Sequence, residues 1–173
     1  QASFVDIHFV GHKTTGYPQD WSIADCVLAK TLSTNCLYVQ GLRAMATAAE
    51  HLDLRDEAQA WAERGDRLKR AIRHALGRGS APEAGTFAYL KDRHGDLMDR
   101  RDALGTALVV LTDVVTGDAV PRALRDYPLT DAGAPLFFPF VLGDAWYHNN
   151  SAWPFVDTFF IKALECRDHR DYA

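Results

Sequence analysis

The residues best equipped for chemistry lie close together near the C-terminal end of the chain. Trp146-Tyr147-His148-Asn149-Asn150-Ser151-Ala152-Trp153-Pro154-Phe155 gathers four aromatic rings, an imidazole and two carboxamides into ten positions. Tyr and Trp offer flat apolar faces with a polar handle, and Asn offers paired donors and acceptors. Such a set can stack on and hydrogen-bond a polyhydroxylated molecule such as a sugar; the same composition also suits an aromatic loop packed on its own core. Cleaving a glycosidic bond further needs two carboxyl groups, one to protonate the leaving oxygen and one to activate water or attack. Asp6, Asp20, Asp99 and Asp102 are the carboxylates outside obvious helix faces, where an Asp otherwise serves as a cap or turn residue.

Other chemistries find less support. There is no phosphate-cradling glycine loop, GxSxG elbow, HExxH or CxxC pair. His8 and His12 are four apart, but Gly11 argues against a helix between them, so neither a metal nor a cofactor is expected. Cys26, Cys36 and Cys166 are widely spaced in apolar or helical contexts and read as buried thiols. A net charge of -4 provides no basic surface for nucleic acid or an anionic membrane. No apolar run approaches the ~18 residues of a membrane helix, and Gln1-Ala2-Ser3-Phe4 is not a signal-peptide start. A first residue other than Met suggests processing or a cut from something longer, and the compartment stays open.

The elements that must position these residues are mainly helical. At 173 residues, 47% of them hydrophobic, the chain suits one domain with a substantial core. Residues 1–32 lack a clean period and read as a polar, aromatic loop, with a short regular piece over 22–30. A first helix begins at Ser33 or Thr34 as cap, with Leu37, Gly41, Ala44, Met45, Ala48 and Leu52 as its apolar stripe. Asp53 closes a tight link. A second helix buries Ala58, Trp61, Ala62, Gly65, Leu68, Ile72, Ala75 and Leu76, with Glu63–Arg67 and Asp66–Arg70 pairs on its solvated face. The two form an antiparallel hairpin ended by Gly77, Gly79, Ser80 and Pro82. Thr86–Leu90 predicts a short strand, and 91–96 a turn returning from it. A third helix, almost without a polar face, runs from 99–102 to Val115; a fourth spans 119–126; 128–143 is loop; and the last runs from Pro154 to about Cys166.

Three stretches, in this order, resemble the catalytic domain of six-hairpin glycosidases, the group that includes trehalases, processing α-glucosidases and the C-terminal domains of glycogen-debranching enzymes. Ser3-Phe4-Val5-Asp6 resembles the loop in which an Asp follows a Ser-Gly-aromatic lead. Thr34-Asn35-Cys36-Leu37-Tyr38 resembles the trehalase Leu-Asn-x-x-Leu opening of a helix, followed by a hairpin of matching length and by Gly85-Thr-Phe-Ala-Tyr. Gly133-Ala-Pro-Leu-Phe-Phe-Pro, then Tyr147-His-Asn-Asn-Ser-Ala-Trp-Pro-Phe, resembles the Gly-Ile-Pro segment and the Asn-x-x-Trp-x-Pro-like loop, and the His-Asn-x-x-x-Trp-Pro spacing is the most specific piece.

The resemblance implies an all-α fold of helical hairpins from an (α/α)6 toroid, incomplete at about five or six of twelve helices, with long loops and one short β-hairpin. It implies a glycoside hydrolase module, residues 1–173, acting on an α-linked oligosaccharide or glycoside by an inverting acid/base mechanism. Asp6 is the expected general acid, and Asn35, Arg101, Asp102, Tyr147, His148, Asn149 and Trp153 the expected sugar-binding residues. Arg100 lies in the same charged segment before an inner helix. Two positions depart from the pattern: Ile7 stands where relatives carry an aromatic residue, and the general base is expected C-terminal to this chain, which makes the rest of the barrel an expected partner. A non-catalytic carbohydrate-binding half-barrel and a helical-hairpin protein-interaction module are the alternatives; the second calls for a repeat of 30 to 50 residues, which the sequence lacks.

Overall fold

The computed structural model of the chain describes residues 29–78, 86–98, 100–139 and 151–170. In chain order these form β1 (Lys30–Thr31), α1 (Leu32–His51), α2 (Arg55–Leu76), β2 (Leu90–Lys91), β3 (Arg101–Asp102), α3 (Ala103–Leu111), α4 (Ala119–Arg125), β4 (Phe137–Phe138) and α5 (Pro154–Arg170). The described chain is mostly helical with two small antiparallel sheets, in line with the expected all-α class. No described helix is long and apolar enough to cross a membrane.

α1 and α2 form the expected hairpin, but α1 buries a different face from the one anticipated. Leu32, Cys36, Val39, Leu42, Ala46 and Ala49 turn inward, while Leu37 (47% exposed), Met45 (48%) and Leu52 (69%) stay at the surface. Both sets recur at helical spacing; Arg43 breaks the inward one and hid it. That arginine, though partly exposed, is committed to another helix. Its Nη2 donates to Asp113 at 2.7 Å and to the Thr112 carbonyl at 3.2 Å, tying α1 to the end of α3. On α2 the anticipated stripe largely holds, with Ala58, Gly65, Ile72 and Leu76 buried. Of the expected ion pairs, Glu63–Arg67 forms at 3.8 Å, but Asp66 lies by Lys69 rather than Arg70, at 3.5 Å.

α3 is short and enclosed: Ala103, Gly105, Thr106, Ala107, Leu108, Val109 and Val110 are all buried, as an inner helix without a polar face requires. It ends at Leu111 instead of Val115 because Asp113 turns left-handed (φ 56), after which the Val114 and Val115 N–H groups both return to the Val109 carbonyl. α4 keeps its anticipated place. The expected β-hairpin becomes two sheets pairing distant segments: Lys30 with Lys91 and Thr31 with Leu90, then Arg101 with Phe138 and Asp102 with Phe137. The 128–143 loop therefore contributes a strand. The turn over 91–96 does return the chain, through an isolated bridge between Lys91 and Leu97 and a bond from Met98 N to the Leu90 carbonyl.

Helix directions follow from the contacts. α1 and α3 are parallel: Leu32 lies against Gly105 near both starts, and Arg43 meets Thr112 and Asp113 farther along. α5 begins at the same end, where Leu136 N donates to the Ser151 carbonyl and the Leu136 carbonyl accepts from Ala103 N. α2 and α4 return the other way. The Leu76 carbonyl that ends α2 accepts from Ala88 N, beside β2, and Arg101 bonds the carbonyls that end α4. One core runs through the described elements, from Cys36 and Val39 through Tyr89, Val109 and Val110 to Val156 and Phe160.

Candidate functional site

The starts of α1, α3 and α5 meet at one end of the bundle, sewn together by extended strips. Leu32 N donates to the Tyr89 carbonyl, Tyr89 N to the Arg100 carbonyl, and β3 pairs with β4. Leu136 links the next strip to Ser151, and Pro135 bridges Ala152. This end carries all four described residues of the expected sugar site: Asn35 in α1, and Arg101, Asp102 and Trp153 on the strips. The other four, Asp6, Tyr147, His148 and Asn149, lie outside the described residues, as do the candidate carboxylates Asp20 and Asp99 and the third cysteine, Cys26.

The polar groups of the described four are spent largely on the scaffold. Asn35 sits in the first turn of α1 and its Nδ2 donates to the Thr31 carbonyl at 2.6 Å. That bond holds the N-cap residue, Thr31, in its extended conformation (φ -88, ψ 147); neither Ser33 nor Thr34 caps the helix, which starts earlier than anticipated. Thr31 donates from Oγ1 to Thr34 Oγ1 at 2.8 Å. Asp102 is the N-cap of α3, its buried carboxylate accepting from Gly105 N at 2.6 Å. A carboxylate there satisfies an unpaired helical N–H and meets the positive end of the helix dipole.

Arg101 works at the opposite kind of helix end. Its guanidinium donates to the Asp126 carbonyl at 2.6 Å and to the Ala123 carbonyl at 3.2 Å, capping the C-terminus of α4 where a cation is favoured. It also lies over the Tyr127 ring, 5.2 Å from its centroid. Burial lowers its pKa; Tyr127, Asp126 and Asp102 oppose that and Arg78 adds to it. Tyr127 was not anticipated as part of this end. Its hydroxyl donates to the Pro135 carbonyl at 2.6 Å and lies 3.2 Å from that of Leu136, fixing the strip that joins α3 to α5. Burial, and then the Asp102 charge, push the Tyr127 pKa well up, while Arg101 pulls it down.

Trp153 is half-buried against the core and 6.3 Å from the Phe155 ring, so its indole serves partly as packing. Asp157, one turn on, accepts from Ala134 N at 3.0 Å and secures the 130–135 turn. Arg100 donates to the Pro139 carbonyl. Two of these roles have a local signature that composition hides: Asp102 stands three residues before Gly105 at a helix start, and Asp157 three after Pro154.

Around the starts of three helices, then, Arg100 and Arg101 engage backbone carbonyls, Arg78 lies near, and Trp153 is half-buried beside them. Among the described residues no group of three His, Cys, Asp or Glu side chains could hold a metal ion. Cys36, buried within α1, has its thiol pKa raised, first by desolvation and further by the Asp102 charge, with a hydrogen bond from Thr112 opposing. It is no nucleophile at neutral pH. No protein-family model, no curated protein and no solved structure matches the chain.

Proposed function

We propose that the chain is a glycoside hydrolase module with the hairpin order of an (α/α)6 toroid, acting on an α-linked sugar at the end where its parallel helices begin. One observation carries the reading. α1 and α3 run parallel, α5 begins at the same end, and α2 and α4 finish there. Helices that begin and end by turns at one face are what a toroid of hairpins requires, and in this reading the aromatic and carboxamide residues belong to that face. In this reading Asp6 is the general acid of an inverting mechanism, and Tyr147, His148, Asn149 and Trp153 stack on and hydrogen-bond the sugar. Asn35, Arg101 and Asp102 act one step back: they fix the ends of α1, α4 and α3 on which the pocket rests.

A second reading, a non-catalytic carbohydrate-binding half-barrel, draws support from the same commitment of Asn35 and Asp102 to backbone partners. Changing Asp6 to Asn separates the two. The wild type is tested for hydrolysis of trehalose and maltose, and both forms for a thermal shift with those sugars and with an iminosugar, since a ligand that binds only the folded state raises the melting temperature. Turnover lost with the shift retained supports the acid. A shift with no turnover in either form favours the binding module, and no shift from a cooperatively folded sample overturns both.

A further inference from the structure

Partway along their hairpin, α1 and α2 leave a gap. Val39 and Ala46 of α1 and Gly65 of α2, all buried, floor a cleft of about 180 Å3 with Trp61 as one wall. Pockets for drug-sized molecules begin near roughly 300 Å3, so this one has room for a single ring and a short substituent.

Gly65 keeps the cleft open at a cost to the helix. Glycine in a helix interior is destabilising relative to alanine, and close backbone approach usually explains its presence. Here a Cβ at position 65 would have Leu42 Cβ, at 3.8 Å, as its one neighbour within 4 Å, an ordinary contact. Neither the helical backbone nor the α1–α2 packing requires the glycine. What a side chain there would do is occupy the cleft.

The cleft is also charged at its edge. Lys69 keeps 20% of its side chain exposed, and the Asp66 carboxylate 3.5 Å away is itself 62% exposed. Such a solvated pair is weak, so Asp66 neutralises the ammonium poorly. Arg43 brings a second cation to the lining while its Nη2 holds Asp113. With Arg43 taken up by Asp113, Lys69 is the weakly paired cation of the lining, and an apolar floor, an indole wall and one such ammonium complement a molecule with a small flat body and one negative group.

We infer that the α1–α2 cleft binds a small aromatic carboxylate, its ring against Trp61 over Val39 and Ala46 and its carboxylate at Lys69. The site is separate from the helix-start end and does not depend on the glycosidase reading.

The test is a titration of the ¹⁵N-labelled chain with benzoate, following the Trp61 indole and the amides of 61–69. Benzyl alcohol (ring without charge) and acetate (charge without ring) serve as comparisons. Saturable shifts centred on Trp61, Gly65 and Lys69 are expected with benzoate, with affinity at least tenfold weaker for either comparison compound. Lys69→Met should weaken benzoate about tenfold or more, the loss of one charge-assisted bond, and Gly65→Leu should abolish the response. Gly65→Ala should raise the melting temperature while weakening benzoate, a combination that misfolding cannot produce. Absence of saturable shifts, unchanged affinity in Lys69→Met, or a lower melting temperature in Gly65→Ala would overturn the proposal.

Discussion

Asp102 and Gly105 are made for each other at the head of α3. The carboxylate takes the Gly105 N–H at 2.6 Å, and it can do so because residue 105 has no side chain. A Cβ there would stand 2.5 Å from one carboxylate oxygen, 2.9 Å from the other and 2.9 Å from Leu32 Cδ2. The glycine thus serves two contacts at once: the cap that starts α3 and the close approach of α1. A residue expected to hold sugar also holds together the helix starts on which a sugar site would be built.

That relationship predicts strong non-additivity. Asp102→Ala should cost about 1–2 kcal/mol, the usual loss of an N-cap, and Gly105→Ala about 2 kcal/mol from overpacking. The double variant should lose at least ~1 kcal/mol less than the sum, because removing the carboxylate frees the space the new methyl needs. Urea unfolding of the four proteins measures the cycle, and simple addition of the two losses would show that the Cβ conflict is with Leu32 alone.

The buried face of α1 gives a second prediction. Leu42→Ala should cost about 2–4 kcal/mol, since Leu42 is 2% exposed and packs on Gly65. Leu37→Ala and Met45→Ala, on the face the sequence pattern favoured, should each stay within about 0.5 kcal/mol. Equal losses on both faces, read from thermal or urea unfolding, would mean that a partner surface covers Leu37 and Met45.

Helix order, the α1–α2 link and the enclosed character of α3 were all legible in the sequence, because they rest on long hydrophobic periods and on glycine and proline stops. The face of α1 was not. Two apolar stripes of similar length lie on that helix, and the choice between them depends on Arg43 reaching Asp113, a contact across 70 positions. The roles of Arg101 and Asp102 were hidden for a related reason. Residue type marked them as fit for a ligand, but the helix termini beside them compete for the same hydrogen bonds, and which partner wins is a matter of tertiary geometry. The β3–β4 pairing depends likewise on Phe137 meeting Asp102 from far along the chain.

Asp113 supports a third prediction. It is left-handed (φ 56) and paired with Arg43, both side chains being partly exposed (32% and 40%). Asp113→Ala loses the pair and keeps the unfavourable backbone, so it should cost about 1–2 kcal/mol. Asp113→Gly loses the same pair but removes the backbone penalty, and should fall within about 0.5 kcal/mol of the wild type. If glycine proves as costly as alanine, the ion pair rather than the backbone dominates the stop of α3.

Two buried acids predict how stability falls in alkali. The Cys36 thiol and the Tyr127 hydroxyl both have pKa values raised above their ordinary 9.0 and 10.0, chiefly because burial disfavours the charged form. Each therefore holds its proton more tightly folded than unfolded. Their contribution is whole below the unfolded pKa and is lost as pH climbs from there towards the folded value. Between about pH 9 and 10 the unfolded chain releases one proton that the folded chain keeps, a loss approaching 1.4 kcal/mol per pH unit, and above about pH 10 a second joins it and the slope steepens. Urea midpoints measured from pH 7 to 11 should show that bend. Cys36→Ala should remove the first segment of the fall, and Tyr127→Phe the steepening, whatever each does to stability at pH 7. A slope unchanged in both variants would mean that the alkaline loss comes from other groups, and that neither burial is as complete as the geometry around Asp102 makes it.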